Sequence, residues 1–377
     1  MEGPARAKVE LTAIRDNVAL LRDRAGGAAV MAMVKADGYG HGAVPAARAA
    51  LAGGATWLGV AILPEALALR AAGIEAPILV ALGTPGEPYE RGVAGAIDLT
   101  AGTAGLVEEI AAAAARAGRT ARVHLKADTG MSRGGAGPGD WPGLVDAALA
   151  AEATGRIKVV GLFSHFACAD EPNHPSIRRQ LEAFTDAVEL AEKGGLRPEL
   201  RHLSNSAATL TLPEARFDLV RPGIAIYGHS PIPSAGTFGL RPAMTLTARV
   251  ALAKRVPAGS GVSYGHTYRT AAETTLALVP AGYGDGVPRH GSNRIEVLAA
   301  GRRRRVAGRV CMDQFVVDVG DDPIAAGDEV VLFGPGDRGE PTAQDWADAI
   351  GTISYEIITR IGPRVPRTYE GPEDLRR

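Results

Sequence analysis

The residues of this chain that could do chemistry fall at the ends of short apolar runs. The run Ala29–Val34 leads into Lys35-Ala36-Asp37-Gly38-Tyr39-Gly40-His41-Gly42. Burial at a strand end disfavours an ammonium, and a lysine tuned in this way is a Schiff-base nucleophile. The glycines allow tight turns and close backbone approach. The competing reading of Lys35 alone is a lysine that snorkels to solvent. Other runs end in Lys126-Ala127-Asp128-Thr129-Gly130-Met131-Ser132-Arg133, in Ser164-His165-Phe166, in His202-Leu203-Ser204-Asn205-Ser206 and in Arg221-Pro222-Gly223-Ile224. Lysines, arginines, a histidine and small hydroxyl or glycine positions suit one aldehyde cofactor with a phosphate tail. Phosphate wants backbone N–H groups, hydroxyls and a helix N-terminus, which Ser206 and the Gly223 and Ile224 amides can supply. An imidazole such as His165 can lie flat against a pyridine ring, although a lone histidine is more often a satisfied core residue.

One motif competes. Gly261-Val262-Ser263-Tyr264-Gly265 matches the G-x-S-x-G elbow of hydrolases. That elbow needs a strand before it and a helix after it. Here Pro257 and Gly259 precede it, and a turn and the strand candidate Thr274–Val279 follow, so the context argues against a hydrolase. No HExxH, P-loop or tight His/Cys cluster occurs, and no metal or nucleotide site is expected.

These residues need a scaffold that gathers strand ends. Strand candidates are Ala29–Val34, Trp57–Ala61, Ile78–Leu82, Ala96–Leu99, Ala121–Lys126, Lys158–Phe163, Glu199–Leu203 and Leu219–Tyr227. Helical stretches such as Leu11–Arg24, Ala43–Ala52, Leu63–Ala72, Thr103–Ala117 and Ile177–Glu192 precede or separate them. Alternation of this kind reads as βα units on a parallel sheet. Eight units fit a (β/α)8 TIM barrel, typically ~250 residues, whose reactive groups sit at the C-terminal ends of its strands. A doubly wound open sheet ranks second. Near Leu240 the texture changes. Thr245–Val256, Thr274–Val279, Arg294–Val297, Gln314–Val319 and Glu329–Phe333 read as strands between Gly- and Pro-rich turns, an antiparallel β domain. Helix Ala343–Ile350 and the segment Ile353–Ile361 close the chain. The expected division is 1–239 and 240–377.

The 377 residues are 46% hydrophobic and 22% charged, enough for a large core. A formal net charge of −1 gives no global field for nucleic acid or an anionic membrane. The basic run Arg302–Arg305 reads as a solvated turn or strand edge. Two cysteines make no disulfide framework, and neither a signal core nor a membrane span is visible, so a cytoplasmic setting is expected.

The chain closely resembles the alanine racemases, pyridoxal-phosphate enzymes with a barrel and a β domain. The resemblance rests on VKADGYGHG at Val34–Gly42, KADTGMSRGG at Lys126–Gly135, HLSNSA at His202–Ala207 and RPGIAIYG at Arg221–Gly228. GVSYGHTY at Gly261–Tyr268, GYGDG at Gly282–Gly286, RVCMDQ at Arg309–Gln314 and SYEI at Ser354–Ile357 continue it. Eight motifs in order span essentially the whole chain.

The resemblance implies interconversion of L- and D-alanine with pyridoxal 5′-phosphate, supplying D-alanine for peptidoglycan. It casts Lys35 as the cofactor-bearing lysine and one base. Tyr264 is the second base, acting from the partner subunit of a homodimer. Arg221 would face the pyridine nitrogen, Arg133 the phenolic oxygen, and His165 the ring. Tyr39, Asn205, Ser206, Gly223, Ile224 and Tyr355 would bind the cofactor, chiefly its phosphate. Tyr283 and Met312 would shape substrate access and carboxylate binding from the partner. Lys126 falls where some members carry a carbamylated lysine. A broad-specificity or serine racemase, a decarboxylase of the same barrel type and a non-catalytic cofactor carrier remain the rival readings. Decarboxylases of this type usually set a carboxylate at the pyridine nitrogen, which Arg221 opposes, and the carrier class lacks the β domain.

Overall fold

The computed structural model describes residues 3–376. Alternation in ARAKVE makes the first strand, β1 (Ala5–Glu10), with Ala5, Ala7 and Val9 buried between half-buried polar neighbours. After the helix Leu11–Ala25 come eight more strands: β2 (Ala29–Met33), β3 (Trp57–Val60), β4 (Ile78–Val80), β5 (Asp98–Ala101), β6 (Ala121–Lys126), β7 (Ile157–Phe163), β8 (Leu200–His202) and β9 (Leu219–Val220). They form one sheet in the order β8-β7-β6-β5-β4-β3-β2-β9, every paired neighbour parallel. Backbone hydrogen bonds from Asp218 to Arg201 (3.1 Å) and from Arg221 to Ser204 (2.9 Å) join β9 to the β8 side and bring the sheet nearly to closure.

Helices cover the outside, and their boundaries follow local chemistry. The helix Ala104–Ala117 starts where Thr103 Oγ1 accepts from the Leu106 amide, and stops at Gly118 in the left-handed region. Pro175 opens the helix Pro175–Gly194, which buries Ile177, Gln180, Phe184, Val188 and Ala191 at three- and four-residue spacing. Each fully buried Leu, Ile or Phe contributes roughly 1.5–3 kcal/mol. The expected (β/α)8 barrel is thus observed.

Beyond it lie β10 (Met244–Arg249), β11 (Leu252–Val256), β12 (Gly261–Val262), β13 (Tyr268–Arg269) and β14 (Thr274–Val279). Then follow β15 (Glu296–Ala299), β16 (Arg302–Arg305), β17 (Phe315–Gly320), β18 (Glu329–Phe333) and β19 (Arg367–Glu370). With β1 they build a six-stranded sheet, β16-β15-β18-β10-β1-β19, a three-stranded one, β11-β14-β17, and the two-stranded β12-β13. Pairing is antiparallel except between β1 and β19. The chain's first strand is therefore held by β10 and β19 of the C-terminal sheet.

Three expectations differ in detail. The expected strand Leu219–Tyr227 ends at Val220, and Ile224–Tyr227 is a 3-10 turn, because Pro222 has no N–H to continue a ladder. The expected Thr245–Val256 is two strands, β10 and β11, in different sheets. The fourth barrel strand, expected at Ala96–Leu99, sits at Asp98–Ala101. Among the described residues no helix is long and apolar enough to cross a membrane.

Candidate active site

Lys35 follows β2 directly and opens a left-handed turn: Ala36, Asp37, Gly38 and Tyr39 have φ of 51°, 52°, 61° and 51°. Non-glycine residues avoid this region at roughly 1–2 kcal/mol each, so the turn needs anchors. Glu65 supplies one, with Oε1 accepting from the Ala36 amide at 2.6 Å and Oε2 from the Ala61 amide at 2.8 Å. Asp37 Oδ1 accepts from the Ala43 amide at 2.8 Å. The turn thereby points Lys35 into the barrel mouth and buries Tyr39 beneath it. Tyr39 stacks on Tyr227 with ring centroids 4.9 Å apart.

The mouth holds a cavity of about 590 Å³. Eleven of the fourteen residues singled out in the sequence line it: Lys35, Tyr39, Lys126, Arg133, His165, Asn205, Ser206, Arg221, Gly223, Ile224 and Tyr355. They come from six different segments, so only the closed sheet brings them together. Met33, Phe163, Leu82 and Thr359 also line it and were not foreseen. Apolar wall residues carry no reactive group, so nothing in the sequence marks them.

The electrostatics are one-sided. Burial, then the Arg133 guanidinium, holds the Lys35 amine below its ordinary value, with Glu65 opposing and Arg221 adding to the effect. Burial and the Arg133 and Arg221 charges bring Lys126 down to about 8. Burial, then Arg221, pushes His165 well down. Arg221 is itself lowered to about 9 by burial. A cavity with this surplus of cationic and neutral donors takes an anionic guest.

The floor fits a phosphate. Ser206 Oγ accepts from the Gly223 amide at 2.8 Å, and Asn205 Oδ1 caps the helix Ser206–Thr211 through the Ala208 amide at 3.0 Å. The Ile224 N–H begins a 3-10 turn and so has no acceptor inside it. A Cβ on Gly223 would lie 2.3 Å from Tyr39 Oη, so the cradle exists only because this residue is glycine. Tyr355 closes one side; burial, then Asp170, raises its phenol to about 12, which keeps it a neutral donor. Lysine amine, buried arginine and amide cradle are the donor set that an aldehyde with a phosphate tail requires.

Three residues lie outside the cavity. Tyr264 is 71% exposed, Met312 53% and Tyr283 43%. Tyr264 sits on a strained turn between Ser263 (φ 60°) and His266 (φ 46°). Ser263 Oγ donates to the Arg309 carbonyl at 2.7 Å and lies 3.3 Å from Cys311 Sγ, with no base beside it. The strand before Ser263 is two residues long and only a 3-10 turn follows, so the hydrolase elbow is absent. Among the described residues no group of three or more His, Cys, Asp or Glu could hold a metal.

Comparison with known proteins agrees with this geometry. Residues 9–231 match the family model of the alanine racemase N-terminal domain, and residues 243–369 that of the C-terminal domain. An alanine racemase of Frankia casuarinae is 63% identical over 366 residues, 96% of this chain and 95% of its own length. One from Thermobifida fusca is 62% identical over 98% of this chain and 99% of its own. Among solved structures, the alanine racemase of a D-cycloserine-producing Streptomyces lavendulae superposes with a TM-score of 0.97 at 58% identity, covering 99% of this chain and 98% of that one. A Bacillus anthracis alanine racemase solved with bound L-Ala-P reaches 0.90 at 36% identity, over 98% and 96%. This chain belongs to the alanine racemase family.

Proposed function

We propose that the chain interconverts L- and D-alanine by passing the Cα proton between two bases on opposite faces, Lys35 and the partner's Tyr264. The observation that carries this reading is the barrel mouth itself. It gathers Lys35, Arg221 and the Ser206–Gly223 cradle around one cavity, while Tyr264 stands exposed on the other domain. Pyridoxal 5′-phosphate is the family's cofactor, and when bound it supplies the electron sink that makes an amino-acid Cα–H acidic.

The chain's own residues do the rest. Lys35, with its amine held low, accepts or returns a proton at Nζ. Tyr39, Ser206, Gly223, Ile224 and Tyr355 would hold the phosphate, and Asn205 caps the short helix beside it. Arg221 has donors only and keeps its proton, so it can orient a pyridine nitrogen without protonating it. His165 would lie against the ring and Arg133 near the phenolic oxygen. The partner's Tyr283 and Met312 narrow substrate access and meet the carboxylate. Lys126, lowered to about 8, has enough neutral amine to take up carbon dioxide as a carbamate facing Arg133. The working form is a cytosolic homodimer that supplies D-alanine for peptidoglycan. Its two units are 1–239 and 240–377, with the strand β1 lent to the sheet of the second.

Circular dichroism of the purified protein with cofactor and L-alanine tests the reading, with L-serine beside it. The optical signal should decay to zero, much faster for alanine. Equal rates would move the specificity to a broader racemase. Loss of signal with carbon dioxide release and no D-alanine formed would replace racemisation by decarboxylation.

A further inference from the structure

Arg221 meets no carboxylate. Its Nη2 donates to the carbonyls of Ser164 (2.7 Å) and Leu203 (3.2 Å) and to His165 Nδ1 (3.1 Å), and its Nη1 lies 2.9 Å from His202 Nδ1. Behind His202 the contacts continue through the barrel interior. His202 Nε2 lies 2.9 Å from His124 Nδ1, and His124 Nε2 lies 3.1 Å from Asp98 Oδ2. Asp98 Oδ1 accepts from Arg122 Nε at 2.8 Å. Asp98 is 1% exposed, and His124 and His202 are fully buried.

The direction of every proton in this file follows from its two ends. A guanidinium only donates, so His202 Nδ1 must accept and its Nε2 must carry hydrogen. His124 Nδ1 must then accept, and its Nε2–H must donate. An ionised carboxylate only accepts, and Asp98 stands there to receive it. Burial alone would raise the Asp98 carboxyl, but the His124 and Arg122 hydrogen bonds outweigh it and hold it ionised. The two ends demand the same pair of tautomers.

The fold makes room for this file. β7 lies between β6 and β8, and the His124–His202 contact crosses it over Gly161. A Cβ on Gly161 would stand 2.3 Å from His124 Nδ1, the atom that accepts. A register shift opposite His124 turns Gly161 to that position. Phe163 stacks on His202 at 4.8 Å and 2°, and Trp57 meets His124 edge-on at 5.8 Å.

We propose that Asp98, His124 and His202 are positioning residues, a one-way hydrogen-bond relay that holds Arg221 charged and aimed at the cofactor ring. The proposal rests on the reading of Arg221 given under the proposed function. Two neutral imidazoles stand between the guanidinium and a carboxylate whose other oxygen pairs with Arg122. The positive charge is thereby anchored without a direct ion pair and stays available to the barrel mouth.

Long-range proton–nitrogen NMR of histidine-labelled full chain, with and without cofactor, tests the relay. Variants H124Q and H202Q assign the signals. Both rings should be neutral Nε2–H tautomers; an imidazolium or an Nδ1–H form at either would overturn the relay. In Asp98→Asn one amide oxygen must serve both Arg122 and His124, so His124 should flip and His202 with it, setting donor against donor at Arg221. The kcat for alanine should fall roughly tenfold, the scale of one charged hydrogen bond lost, with KM nearly unchanged. Gly161→Ala blocks the same link with Asp98 intact and should reproduce the split. Flipped tautomers with unchanged kcat would sink the link to Arg221. The expected tautomers in a wild-type chain that does not racemise alanine would sink the functional reading alone.

Discussion

Lys35 owes its tuning to position and not to a single partner. The carboxylate nearest in effect, Glu65, has one oxygen on the Ala36 amide and the other on the Ala61 amide, so it braces the turn instead of pairing with the amine. Burial and Arg133 then decide the sign. At the far end of the cavity Gly223 is as specific as Lys35. Tyr39 is 7% exposed and stacked on Tyr227, so its hydroxyl cannot retreat from a Cβ placed 2.3 Å away. Overpacking of this kind costs about 1–3 kcal/mol. Gly223→Ala should therefore weaken cofactor binding roughly tenfold or more while the fold survives, since a factor of ten is about 1.4 kcal/mol. Fluorescence titration of the cofactor-free protein, with a thermal melt beside it, measures both. An unchanged Kd would mean that the cradle lies elsewhere.

The left-handed turn after β2 is the element on which the site depends, and two buried histidines lie behind it. His41 Nδ1 faces the Tyr39 and Gly38 carbonyls at 3.0 and 3.2 Å, so it carries the hydrogen. The Nε2 atoms of His41 and His229 are both buried without a partner. Burial, then the neighbouring His229, brings His41 down to about 3; burial brings His229 down to about 4. Both pKa values lie below the unfolded value near 6.5, so the unfolded chain takes up protons first as pH falls. Their contribution to stability is full above about pH 6.5 and is lost as pH drops toward the folded values. For His229 alone the loss by pH 5 is about 2 kcal/mol. Urea melts at pH 7 and pH 5 should show wild type losing that much more than His229→Leu; parallel losses would refute the assignment. Little of this turn is legible in the sequence. Gly38 hints at positive φ, but Ala36 and Asp37 do not, and one of the anchors that hold them there, Glu65, lies nearly thirty residues on. The barrel itself was legible, because its strands are apolar runs spaced by capped helices. Asp98 carries no mark of its burial in the sequence, yet the fold buries it as an acceptor. The strand β1 is missing from the strands expected from the sequence, although its alternation is clear, because its partner β10 lies more than two hundred residues away.

At the scale of the whole molecule, each proposed site is divided between two chains. The cavity of one chain contains one base, Lys35, and the residue proposed as the other, Tyr264, projects into solvent from a strained turn on the β domain, with Tyr283 and Met312 also exposed. A tyrosine that is 71% exposed gains nothing from the constrained backbone beneath it unless a second molecule meets it. In a twofold pair each β domain can cover the other's barrel mouth, and the symmetry makes two equal sites. Each site then takes Lys35 from one protomer and Tyr264 from the other. A Lys35→Ala chain alone and a Tyr264→Ala chain alone should each be nearly inactive. When equal amounts are mixed and allowed to exchange, half the dimers carry one chain of each kind. In those dimers one site lacks both bases and the other lacks neither, so activity should recover to about a quarter of wild type. Native mass spectrometry of chains with distinguishable masses would verify exchange before the assay. No recovery in a mixture with proven mixed dimers would mean that each chain works with its own tyrosine, and the exposed turn would need another explanation.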